Sequence, residues 1–130
     1  MNGAITLGTL DGANVEIVER VGDDNAIIFG LKAEEVALLQ ENGQYNPWDV
    51  YNSDIRIKNI MDSLFTGPWA EDNDTFRMIF DEVMNRNDQY FILKDFESYL
   101  DAQERISKLY LDKSLWAKMC IINIAMSGYF

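Results

Sequence analysis

Residues 4–29 constrain this chain more than any other stretch, because they read as a strand, a short helix and a second strand with almost no connecting chain between them. Residues 4–9, flanked by Gly3 and Gly8, are rich in β-formers and apolar enough for a buried strand. Asp11 is placed to cap a helix that begins near Gly12, where Val15, Val18 and Val21 with Ile17 form an apolar stripe. Gly22 is placed to end that helix, a polar loop of Asp23, Asp24 and Asn25 follows, and residues 26–29 form the second strand, closed by Gly30. A strand, a crossover helix and a strand in one sheet are expected to run parallel with a right-handed connection.

Two short parallel strands do not make a stable sheet, which generally needs three or more strands with both faces covered. From Leu31 onward only helical patterns appear. The sheet's other strands are therefore expected in a longer polypeptide, and the chain reads as one partial domain: a strand-helix-strand unit over residues 1–30 and a helical layer over residues 31–130.

The helical part is well punctuated. A first helix is expected over residues 33–40, ending near Asn42 and Gly43. Asn46 then caps a short helix with Pro47 in its first position and Trp48 and Val50 or Tyr51 on its buried side. Ser53 or Asp54 starts another, in which Ile57, Ile60, Met61 and Leu64 recur at helical spacing until Gly67-Pro68 stops it. After a polar loop through Trp69 and Asn73, Asp74 opens a helix bearing Phe76, Ile79, Phe80, Val83 and Met84. Residues 90–93 read as an apolar connector into a helix carrying Phe96, Tyr99, Leu100, Gln103, Ile106 and Tyr110. Asp112 caps the last helix, where Leu115, Trp116, Met119, Ile121, Ile122, Ile124 and Met126 leave little polar face, so it should be covered on most sides.

Strand, glycine turn and helix N-terminus in succession can hold a phosphate on free backbone N–H groups and the positive end of a helix dipole. The spacing Gly3, Gly8, Gly12 matches neither the dinucleotide fingerprint nor a P-loop, and no lysine follows the last glycine. Close packing of strand on helix is the favoured reading of the turn, with a phosphate cradle as the alternative. The chain has no histidine and one cysteine, Cys120, which leaves no material for a histidine general base, a zinc site or an internal disulfide. A net charge of −11 opposes nucleic acid or anionic lipid as partners. The acidic pairs Asp23-Asp24, Glu34-Glu35 and Asp81-Glu82 read as solvated surface rather than metal ligands or a glycosidic carboxylate pair, since adjacent residues point in different directions on a helix. The six methionines fall mostly on helical apolar stripes, which favours core packing over an adaptable binding groove. No signal peptide or membrane span is apparent, and a reducing cytoplasm is the expected setting.

Asn2-Gly3-Ala4 and the run from Gly8 through Thr9, Leu10, Asp11, Gly12, Ala13, Asn14 and Val15 to Glu16 resemble the segment of α-glucan phosphorylases that directly follows their pyridoxal-phosphate lysine. The resemblance continues in order through Ile28-Phe29-Gly30, Asp95-Phe96 with Tyr99, Gln103-Glu104, Leu109-Tyr110, Asn123-Ile124-Ala125 and Ser127-Gly128 with Phe130. Of the family's lysine signature only its final pair, Met1 and Asn2, is present, and the lysine would lie three residues before Met1. At the other end the family continues into a further helix.

The resemblance implies a C-terminal fragment of a glycogen, starch or maltodextrin phosphorylase. Its fold would be α/β but mostly helical, a truncated part of the Rossmann-like C-terminal domain of a two-domain, GT-B type glycosyltransferase. The parent enzyme would use pyridoxal phosphate to transfer a terminal α-1,4-linked glucosyl unit to phosphate. No catalytic, cofactor-binding or metal residue of that family is implied within this chain, Asn2 and Gly3 being nearest in sequence to the cofactor lysine, and the chain alone should be inactive. Its expected partner is the remainder of the phosphorylase chain, and in isolation a second copy. A free-standing acidic helical interaction module is the alternative reading.

Overall fold

Two three-residue strands and seven α-helices make up the described chain, the computed structural model describing residues 3–68, 70 and 73–129. Strand β1 is Leu7–Thr9 and β2 is Ile27–Phe29, paired in parallel with Leu7 opposite Ile27, Gly8 opposite Ile28 and Thr9 opposite Phe29. The strand expected over residues 4–9 pairs only over its second half, because β2 offers three residues; one further bond, Ile27 N to Thr6 O at 2.8 Å, extends the ladder. The protein is thus mostly helical with two short parallel strands, and among the described residues no third strand joins them.

Contacts divide the chain into two units, Met1–Glu35 with Glu97–Phe130, and Val36–Phe96. The first holds the strands, the crossover helix α1 (Ala13–Val21), helix α6 (Phe96–Leu111) from Glu97 on, and helix α7 (Lys113–Ala125). Asp112 caps α7 by accepting from Leu115 N at 3.0 Å, as its sequence position predicts. Helix α7 packs on the 3₁₀ turn Asp23–Asn25, and there Asn123, fully buried, donates from Nδ2 to Asn25 O at 2.9 Å and to Met119 O at 3.0 Å. On the second strand Phe29 meets Tyr99 edge-on with ring centroids 5.2 Å apart, and Tyr99 Oη accepts from Gln103 Nε2 at 2.9 Å.

The coverage expected for α7 is not found. Met119 and Asn123 are its buried residues, whereas Ile121 is 64% and Ile124 54% exposed. Apolar periodicity registers that a helix avoids water on every side but not which neighbours the chain supplies, and this chain supplies them along one strip.

The second unit is built on helix α4 (Ile55–Thr66), packed on α3 (Pro47–Ser53) and α5 (Asn73–Phe80). Its start signals act as the local chemistry dictates. Asn46 accepts from Trp48 N ahead of buried Pro47, and Asp54, not Ser53, caps α4 by accepting from Arg56 N at 2.9 Å. Hydrogen bonds from the Arg56 side chain also hold the Asp54 carboxyl down at about 2. Ile57 and Met61 of α4 form a core with Met84 and Leu93, over which Val50, Tyr51, Leu64 and Phe80 pack. Ile60 shares their spacing but is half exposed. Past α5 the helix widens into a π turn, Asp81–Asn85, closed by Arg86 N donating to Asp81 O, and Met84 lies in the core from that turn. Helix α2 (Ala33–Asn42) runs from one unit into the other and ends at Gly43, whose φ of +59° suits a residue without a side chain. Trp69 lies outside the described residues.

Candidate functional site

The glycine turn between β1 and α1 is tied by one carbonyl. Thr9 O accepts from Asp11 N at 3.0 Å and from Asn14 Nδ2 at 2.8 Å, while Asn14 N donates to Asp11 O at 3.0 Å. Gly12, with φ +48°, occupies the cap position, so the expected Asp11 side-chain cap is not formed; the Asp11 carboxylate accepts instead from the Thr9 hydroxyl at 3.2 Å. The physical reason is the backbone reversal at Gly12, which begins the helix one residue later than Asp11 could serve. Gly8 is needed here for a different cause. A Cβ at Gly8 would lie 2.6 Å from Asn14 Nδ2, the group that stitches the turn.

Asn14→Ala should therefore cost about 1 kcal/mol, the net value of one hydrogen bond, while Asp11→Ala should stay within about 0.5 kcal/mol, as exposed substitutions do. Urea midpoints at constant slope measure both, and a larger loss in Asp11→Ala would reinstate the carboxylate as the cap.

Gly3, nearest in the described chain to the expected cofactor lysine, is buried with φ +88°. An added Cβ would meet Ile124 Cγ1 and Cδ1 at 3.0 Å and the Cys120 carbonyl oxygen at 3.6 Å, so the absence of a side chain lets this backbone lie against α7. Asn2, the other residue of that pair, lies outside the described residues, as do Met1 and Phe130.

Around the turn the charges are negative. Asp11 sits in it, Glu16 occupies the first turn of α1, and Arg20 is in the last turn. The acidic pairs are dispersed: Asp23 and Asp24 are exposed on the 3₁₀ turn, Glu35 accepts from Lys32 N at 2.8 Å, and Glu82 pairs with Arg86 at 2.8 Å. Among the described residues no three His, Cys, Asp or Glu side chains are grouped to hold a metal ion, and no helix is long and apolar enough to cross a membrane.

Among the described residues of the second unit, one ionisable group is deeply buried. Asp88, 2% exposed, accepts from Tyr45 Oη at 2.7 Å, Ile92 N at 2.9 Å and Leu93 N at 2.9 Å. Burial, and then the adjoining Asp88 carboxylate, push the Tyr45 phenol well above its ordinary range. The network is a brace with no free acid or base, and the sequence offered no sign of it because Tyr45 and Asp88 lie in separate loops.

A family model described as carbohydrate phosphorylase matches residues 1–130. Over its whole length the chain is 52% identical to a glycogen phosphorylase of Bacillus subtilis, 40% identical to one of Synechocystis, and 40% identical to the muscle form of glycogen phosphorylase of Ovis aries. It spans 16% of the length of the first of these curated relatives and 15% of the other two.

Proposed function

This chain belongs to the carbohydrate phosphorylase family, and from that premise we propose that it is the segment of an α-glucan phosphorylase directly following the cofactor lysine. The segment lies in the Rossmann-like C-terminal domain of a GT-B type glycosyltransferase, in a cytoplasmic enzyme. The observation that carries this reading is the match over all 130 residues to relatives of which the chain spans about a sixth.

In the parent enzyme, phosphorolysis of α-1,4-linked glucan yields glucose 1-phosphate, and pyridoxal phosphate supplies a phosphate group for proton transfer when bound. The glycine turn of this chain does not fit that phosphate: Asp11 stands in it, the Asn14 amide occupies the space beside Gly8, and the basic residue of α1 is at the far end of the helix. The contribution of this chain is positional, with Gly3 held on α7 so that the backbone leading back to the lysine has a fixed exit. The exposed apolar side of α7 and the open two-stranded sheet are surfaces that the remainder of the phosphorylase chain would cover, and without that remainder a second copy covers them.

Complementation tests the proposal. A phosphorylase polypeptide ending just after the cofactor lysine is purified and mixed with this chain, glucose 1-phosphate release from glycogen is assayed, and sedimentation equilibrium is recorded before and after mixing. Activity is expected only in the mixture, with a discrete oligomer of the chain converting to a complex with the longer polypeptide. Phosphorolysis by the chain alone, or a stoichiometric pyridoxal adduct on one of its lysines after borohydride reduction, would overturn the placement.

A further inference from the structure

The turn that buries Asp88 also forms one wall of a cleft in the second unit, of about 400 Å³, a size typical of small-molecule sites. The other wall is the C-terminal end of α2 and the loop to Tyr45. Although a quarter of the chain's residues are charged, none of the lining residues is. The cleft is lined instead by the amides of Gln40, Asn87 and Gln89 and by the rings of Tyr45, Tyr90 and Phe91. Asp88, between lining residues Asn87 and Gln89, is turned away into three hydrogen bonds, and Glu41, beside Gln40, is not among the lining residues. The surroundings therefore select against phosphate and against cations.

The polar groups of this cleft are uncommitted. Among the described residues no hydrogen bond within the chain engages the side chains of Gln40, Asn87, Gln89 or Tyr90, and Tyr90 is 80% exposed. Three amides offer paired donors and acceptors to neutral hydroxyl groups, and the negative face of a ring attracts the C–H face of a sugar. The wall is also held rigid. Among the described residues the non-glycine positions with positive φ are Asn87 (65°), Asp88 (42°) and Phe91 (55°), all in this one turn, and the Tyr45 ring packs tilted against Phe91 with centroids 4.9 Å apart. Backbone strain of this kind persists only where the surroundings enforce it, as the Asp88 bonds do here.

We propose that this cleft is a binding subsite for a neutral α-glucan chain, with Tyr90 as stacking platform and Gln40, Asn87 and Gln89 as hydroxyl partners. The choice of glucan among neutral polyhydroxy ligands rests on the family role proposed above, while the neutrality and the amide-aromatic chemistry come from the cleft itself. The subsite serves to hold polymer, not to cleave it, since no acid or base faces the cleft.

Calorimetric titration of the chain with maltoheptaose tests this, with glucose and cellohexaose as separate arms. Maltoheptaose is expected to bind more tightly than either. Tyr90→Ala, at an exposed side chain that leaves the fold intact, should weaken binding about tenfold, the scale of one lost aromatic contact. Gln40→Ala should weaken it severalfold, and Leu111→Ala, at an exposed apolar residue of the other unit, should leave it unchanged. Absence of maltoheptaose binding, or equal binding by Tyr90→Ala, would overturn the subsite even if complementation restores phosphorolysis. Tyr90-dependent binding alongside failed complementation would sustain the subsite and remove the enzymatic placement.

Discussion

Asp88→Ala should lower the stability of this protein by roughly 3–5 kcal/mol, the scale of a broken buried network. The substitution removes the acceptor of three donors at once: Ile92 N, Leu93 N and the Tyr45 hydroxyl. It also places alanine at φ +42°, where aspartate is better tolerated. Asp88→Asn keeps one acceptor oxygen and the favoured residue type for that backbone, so its loss should be intermediate. Urea unfolding followed by circular dichroism gives both values; equal stability of Asp88→Ala and the parent chain would mean that the turn opens to solvent at no cost.

The same network predicts an alkaline limit. Because the folded Tyr45 phenol holds its proton to higher pH than an unfolded tyrosine, whose pKa is about 10, its contribution is complete below that pH and declines as the pH rises beyond it. Tyr45→Phe should flatten this alkaline decline.

Asn123→Asp should cost about as much at neutral pH, roughly 3–5 kcal/mol for a buried charge without a partner. The side-chain amide donates to two carbonyl oxygens, Asn25 O and Met119 O, at a position with no exposure, and its own Oδ1 has no partner among the described residues. A carboxylate of the same shape would turn two attractions into repulsions. Acidification should recover part of the loss, since the protonated acid can again donate to one carbonyl. Thermal unfolding from pH 4 to pH 8 is the measurement, and a loss independent of pH would show that shape rather than charge governs the site. Asn123 is the group that fastens α7 to the turn before β2, so this variant should also loosen the seat of Gly3.

Much of the helical framework was legible because its signals act within one turn of chain. Asn46-Pro47, Asp54 and Asp112 start helices and Gly67 stops one, each through a bond to a residue at most four positions away. Residues 90–93 were readable as a connector, because the apolar run is too short for a helix and leads directly into one. Asp11 has the side chain for a cap, but the left-handed conformation available to Gly12 puts the cap one residue later. Asn123 carried a usable signal, a lone amide in an apolar helix, which points to a buried polar partner without identifying it.

The sequence by itself determined which segments are helix and strand, that its two strands pair in parallel, and, through the resemblance of residues spread along the whole chain, the family to which it belongs. Only the tertiary structure decided that the last helix lies on the turn before β2 and on Gly3, that Tyr45 closes over Asp88, and that Tyr90 faces a cleft whose opposite wall comes from the end of α2. The division follows from range. Caps, stops and periodicity depend on neighbours along the chain, where geometry allows few alternatives. Pairings such as Asn25 with Asn123 are chosen among many apolar faces of similar strength, by steric fit and by whether each buried polar group finds its partner.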